Sequence, residues 1–213
     1  VEMRVLKRER TYHLRVPETY DPDRAYPLIF RWHGAGGNGL SGGLGIELNA
    51  GNDAIIVSPD GLHKSWNSNA DSAELLFDAE STDFLFSADP ENLLFFDRML
   101  ETIEKQYCIN QNRIFSYGFS AGGYFGNLLA CERGDVLRAN AAIAGGLRGG
   151  NCRGKVASWF LHDADDTVVP IAKGKAARDR ALAMNACSTN TTDEGDGCVR
   201  YQGCEAATVV WCE

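Results

Sequence analysis

The chain has 213 residues, 44% of them hydrophobic and 23% charged, with a formal net charge of −8. That size and balance fit one globular domain with a continuous core. The negative charge, with no Lys/Arg cluster to interrupt it, argues against nucleic acid as a partner, and no apolar run is long enough to span a bilayer.

Taken in chain order, "MRVLKRERTYHLRV" reads as a pair of N-terminal strands, the pattern already running at Val1 and the first twenty residues being charged and polar rather than leader-like. "YPLIFRWHG" and "DAIIVSPDG" are short apolar runs that end in glycine-rich turns, the form of buried parallel strands. Asp89-Pro90 offers an N-cap and a first-turn proline, and the helix-like segment behind it places Phe96, Leu100, Ile103 and Tyr107 on one face. A strand "NRIFSYGFS", a helix "GGYFGNLLACERG" with Gly134 as its stop, and strands "RANAAIAGG" and "VASWFLHD" follow. "IAKGKAARDRALAMNAC" is helix-like and "ATVVWCE" is a last strand. The alternation predicts an α/β chain with a mostly parallel sheet covered on both faces. Residues 188 to 197, "STNTTDEGDG", are expected to be a solvated loop bounded by disulfides, and their acidic spacing fits no calcium loop. Asn190-Thr191-Thr192 within them is a glycosylation sequon, meaningful in a eukaryotic source.

Seven cysteines without paired C-x-x-C knuckles point to disulfides formed in an oxidising compartment rather than to zinc. The expectation is a secreted, monomeric protein with at least one bridge closing the 187–204 region. An odd count leaves one thiol over.

Gly118-Phe119-Ser120-Ala121-Gly122 is a G-x-S-x-G pentapeptide lying between a strand and a helix. Its glycines permit a sharp turn that pushes Ser120 outward as a nucleophile, with the helix dipole beside the oxygen that becomes negative. The bland alternative is a small residue in a glycine-rich turn. Acyl transfer also needs oxyanion donors, and the N–H of Ala121 should be one. The other should come from the loop after an earlier strand, where "RWHGAGGNG" offers Ala35 or Gly36, with His33 orienting the loop. "WFLHDADDTVVP" closes a later strand with Asp163, Asp165 and Asp166, any of which suits an acid that orients an imidazole.

The combination "HGAGGNG", "PDG…SWN", "NRIFSYGFSAGG" and "H-x-x-x-D-x-x-VP" resembles the secreted esterases that include feruloyl esterases, acetylxylan esterases and polyhydroxybutyrate depolymerase-like proteins. The four motifs occur in that family's order over nearly the whole chain. The resemblance implies an α/β-hydrolase fold over residues 1–213 as one catalytic domain, with no cofactor and no metal. Its substrates are esters of plant polysaccharide or of polyester. It selects Asp166 as the catalytic aspartate, His162 as a structural position and Trp66 as a substrate-binding residue that lines the acyl pocket. Asp163 stands where the family has glycine.

The implied order is serine, aspartate, then histidine beyond the last strand. The four histidines are His13, His33, His63 and His162, and none follows Asp166. The expectation is therefore that the base lies outside this sequence, which would then be truncated at its C-terminus. Two rivals remain at this level: a peptidase of the same fold, and a carbohydrate-binding relative that has lost its base.

Overall fold

A computed structural model describes residues 1–41, 43, 45–66, 90–147, 149–205 and 207–213. Among these described residues ten strands form one sheet in the order β1-β2-β4-β3-β5-β6-β7-β10-β9-β8. They are β1 (Glu2–Val5), β2 (Arg8–Arg15), β3 (Tyr26–Trp32), β4 (Ile55–Pro59), β5 (Ile109–Phe119), β6 (Ala139–Ile143), β7 (Ala157–Leu161), β8 (Thr191–Gly195), β9 (Cys198–Tyr201) and β10 (Val209–Cys212). The six from β4 to β10 across the middle pair in parallel, while β1 and β2 at one end and β9 and β8 at the other are antiparallel. Among the described residues the α-helices are α1 (Ile46–Ala50), α2 (Pro90–Gln106), α3 (Ala121–Glu132) and α4 (Ile171–Met184). This is the α/β-hydrolase fold.

β3 and β4 are apolar because both of their faces are covered, whereas β6 and β7 bury only alternate residues. β4 is buried at every residue, and β3 at all but Ile29. Register partners in parallel strands point the same way, so Phe30, Ser116, Asn140 and Ser158 share one face. On that face α2 and α3 enclose the larger core, in which Phe30, Trp32, Phe95, Phe96, Met99 and Ile103 are fully buried. The expected stripe on α2 holds for Phe96 and Ile103, while Leu100 and Tyr107 pack at its margin. A second cluster joins Phe160, Ala177, Val209 and Trp211 beneath α4. The opposite face carries α1 beside an apolar groove of about 570 Å³ that includes Phe115, Tyr117 and Trp159.

One feature departs from the expectation, and the cysteine pairing meets it. The "STNTTDEGDG" segment is not a loop: it supplies β8 and the turn into β9, a hairpin that extends the sheet past β10. Polar residues suffice because every residue of β8 is exposed, so no apolar alternation marks the strand. The bridges are Cys131–Cys152, Cys187–Cys204 and Cys198–Cys212, leaving Cys108 as the free thiol. One of them closes the 187–204 region at the base of the hairpin, and Cys198–Cys212 ties β9 to β10. The N-cap expected at Asp89 lies outside the described residues.

Candidate active site

The strand-to-helix turn after β5 forms as the pentapeptide implies. Ser120 has φ 52° and ψ −119°, a conformation costly for a residue with a Cβ. Three contacts hold it. Its N–H donates to the Ile143 carbonyl (2.8 Å), and its own carbonyl accepts the Tyr124 N–H (3.0 Å). Gly122 meanwhile lets α3 approach the end of β3. A serine at a helix N-cap ordinarily spends its hydroxyl on the first-turn amides. Here the side chain makes no capping hydrogen bond, so the hydroxyl is left for other chemistry above the strand ends. It sits at the positive end of the α3 dipole.

The glycine-rich loop after β3 lies beside this turn: a Cβ on Gly34 would meet the Phe119 ring at 3.0 Å. Among its amides, Gly36 donates to the Lys64 carbonyl (2.8 Å) and Gly37 to the Gly34 carbonyl (3.1 Å). Gly36 is thereby spent. The Ala35 N–H and the first-turn N–H of Ala121 have no hydrogen-bond partner among the described residues. His63 and Lys64, at φ 51° and 58°, turn the Lys64 carbonyl toward Gly36. Of the two amides that the sequence offers, Ala35 and Gly36, the Ala35 N–H is thus the uncommitted one.

His33 organises the same loop and is 6% exposed. Its Nδ1 lies 2.7 Å from the Gly34 carbonyl and its Nε2 accepts the Gly61 N–H at 2.9 Å. These two contacts assign the neutral Nδ1–H tautomer. Burial pushes the ring's pKa down, against smaller upward effects from the Gly34 hydrogen bond and Asp60. A ring with both nitrogens committed orients a loop and does not accept a substrate proton.

Trp66 is placed differently from the expectation of a cleft-lining residue. It is 5% exposed, stacked on Phe125 with ring centroids 5.2 Å apart and edge-on to Trp32. Its indole N–H donates to the His33 carbonyl at 2.8 Å. The ring braces the loop from beneath, because an indole with its N–H satisfied packs well in a core.

After β7 the three aspartates separate by environment. Asp163 and Asp165 are exposed, with Asp163 accepting the Asp165 N–H. Asp166 is partly buried: Oδ1 accepts the N–H groups of Val168 and Val169, both at 2.8 Å, and Oδ2 lies 3.6 Å from His162 Nε2. His162 is buried at 2% exposure, donates to the Val169 carbonyl (2.7 Å) and stacks on Trp211. It pins the turn that carries Asp166. His13 lies 3.4 Å from Asp60 and His63 is exposed on a short 3₁₀ turn. Among the described residues none hydrogen-bonds the Ser120 hydroxyl, and no cluster of three or more His, Cys, Asp or Glu is arranged to hold a metal.

One positioning residue escapes the sequence reading. Arg31, 5% exposed on β3, reaches the carbonyls of Ser41 and Gly39 with its two terminal nitrogens, and its Nε reaches Ser58 (3.0 Å) and Glu47 (3.1 Å). Asp60 adds a bond from the Gly39 N–H at 2.6 Å. An arginine in the middle of the apolar run "LIFRW" is the one sequence signal that points to it.

Comparison with known proteins follows the same line. The chain is 33% identical to feruloyl esterase D of Neurospora crassa, over 96% of this chain and 72% of that protein. It is 31% identical to feruloyl esterase C of Emericella nidulans, over 92% of this chain and 71% of that one. Among solved structures, an acetyl xylan esterase from Aspergillus awamori superposes with a TM-score of 0.69 at 11% identity, covering 94% and 86% of the two chains. A ferulic acid esterase from Anaeromyces mucronatus, solved with ferulic acid, gives 0.59 at 16% identity over 87% and 78%. No family model matches the sequence.

Proposed function

The chain belongs to the feruloyl esterase family of carboxylic ester hydrolases, and on that premise we propose that it cleaves feruloyl or acetyl esters of plant cell-wall polysaccharide through an acyl-enzyme on Ser120. The observation that carries this reading is the strained Ser120 turn, whose hydroxyl is not used for capping, beside two uncommitted amides.

In this mechanism the Ser120 oxygen attacks the ester carbonyl, and the N–H groups of Ala35 and Ala121 take the developing oxyanion. Asp166 holds an imidazole in the tautomer that accepts the serine proton and later returns it to the leaving alcohol. His33 has both ring nitrogens committed, His162 is buried with its Nε2 bonded to the Val169 carbonyl, His13 pairs with Asp60, and His63 stands apart on its exposed turn. We assign that imidazole to sequence outside these 213 residues, which then form the larger part of a single catalytic domain. Arg31, His33 and Trp66 act by holding the oxyanion loop. Three disulfides favour secretion, where cell-wall substrate is met.

The test is hydrolysis of methyl ferulate and of acetylated xylan by the full gene product, with a peptide p-nitroanilide as control. Release of ferulate or acetate with no anilide cleavage supports the reading. Anilide cleavage alone would favour a peptidase of the same fold.

A further inference from the structure

The hairpin that extends the sheet holds a group the esterase mechanism does not use. We propose that Asn190 is an N-glycan acceptor and that its glycan caps the free edge of the ten-stranded sheet.

Asn190-Thr191-Thr192 is the one N-x-S/T sequon in the sequence. A sequon is a hypothesis until its structural context admits an oligosaccharide, so placement decides. Asn190 is exposed, at the entry to β8, and among the described residues its side-chain amide makes no hydrogen bond. Only its backbone is engaged: its N–H meets Ser188 Oγ at 3.3 Å and its carbonyl accepts the Gln202 N–H at 2.9 Å. The side chain can therefore carry a bulky group without losing a native contact. Thr192 stands in extended conformation, its hydroxyl meeting only the exposed Gln202 side chain at 2.8 Å.

β8 is the last strand of the sheet and pairs with β9 alone, so one row of its backbone groups faces outward. Such an edge invites pairing with another chain unless something blocks it. A glycan at the first residue before the strand is a block of the right kind and place.

Topology also keeps the glycan away from the reaction. β10 runs parallel to β7, β9 opposes β10, and β8 opposes β9. β8 therefore runs with the central strands, and its start lies at the sheet end opposite Ser120 and Asp166, which follow strand C-termini. The turn at Asp196-Gly197 is the part of the hairpin on the active-site side, where Gly197 accepts the Glu213 N–H.

The modification consumes a lipid-pyrophosphate-linked oligosaccharide. The Asn190 Nδ2 forms a bond to the anomeric carbon as it loses a proton, and the anomeric C–O bond to the pyrophosphate breaks with the lipid pyrophosphate as leaving group. Three disulfides and the fungal source of the relatives are consistent with a secretory route that carries that chemistry. The proposal is independent of which ester is cleaved.

The experiment expresses the chain through a eukaryotic secretory pathway and compares intact masses before and after enzymatic removal of N-glycans. The expected result is a glycan-sized loss that disappears in both Asn190→Gln and Thr192→Ala and persists in Thr192→Ser. Made in the full gene product, Asn190→Gln should hydrolyse p-nitrophenyl acetate within about twofold of that parent, and its aggregation on storage should be faster. An unmodified parent, or a glycan that persists in Asn190→Gln, would overturn the proposal.

Discussion

A Cβ at Gly122 would stand 2.2 Å from the main-chain oxygen of Trp32. The first turn of α3 therefore rests directly on the end of β3, which brings the Ser120 turn and the oxyanion loop together. Gly122→Ala must push these two elements apart. Overpacking of this kind costs about 1–3 kcal/mol, readable as a lower denaturant midpoint. Activity should fall further than stability, because the two amides move relative to Ser120.

His33 gives a pH prediction. Burial holds its pKa below the ordinary 6.5, so the unfolded chain takes up a proton that the folded one refuses as pH falls below about 6.5. The stability contributed by the neutral ring is complete above that value and is lost as pH falls from it toward the folded pKa. Protonation also sets a new N–H against the Gly61 N–H that Nε2 now accepts. Denaturant midpoints measured between pH 4 and 8 should decline on the acid side in the parent and decline less in His33→Gln. Parallel curves would remove His33 as the source.

Asp166 is the acid that orients the imidazole in the proposed mechanism, and its two amide bonds survive replacement by asparagine. Asp166→Asn in the full gene product should thus fold normally and lose about 10⁴ in kcat. Asp163→Asn and Asp165→Asn, at exposed positions, should stay within a few-fold. A large loss at Asp165 with none at Asp166 would move the assignment by one residue.

The bridge Cys187–Cys204 closes 17 residues that contribute little apolar surface. Its removal by paired serine substitutions should cost about 2–4 kcal/mol in the stability of this end of the sheet. Hydrogen exchange across β8 and β9 would report it. Non-reducing peptide mapping should recover the three bridges and one free thiol at Cys108.

The parts of the fold that the sequence makes legible are those driven by burial. "YPLIFRW" and "DAIIVSP" read as strands because both of their faces need apolar residues, and Phe96 and Ile103 mark the inner face of α2 by period alone. β8 leaves no such trace: its residues face water, and its pairing follows from the bridges around it. Site residues divide similarly. Ser120 announces itself through the glycines its turn requires. That the Gly36 amide is engaged while the Ala35 amide is not depends on the Lys64 carbonyl, 28 residues further along the chain, which no local pattern encodes. Trp66 looks like a cleft aromatic in "SWN", yet its indole is buried by contacts with Trp32 and Phe125 that only the packed sheet brings near.

The placement of the histidines makes a further demand. The 213-residue chain should fold with its core intact yet turn over p-nitrophenyl acetate at least about 10³ more slowly than the full gene product, since a serine hydroxyl without a base is a weak nucleophile. Circular dichroism on both checks the fold. Equal rates would show that one of His13, His33, His63 and His162 serves as the base, and His63→Ala would identify the exposed one.

The acyl-enzyme on Ser120 is the central claim, and its most direct measurement is methyl ferulate turnover by the full gene product with and without Ser120→Ala. The account predicts a fall of about 10⁶ in kcat with the fold unchanged. Turnover by the variant within tenfold of its parent would contradict it.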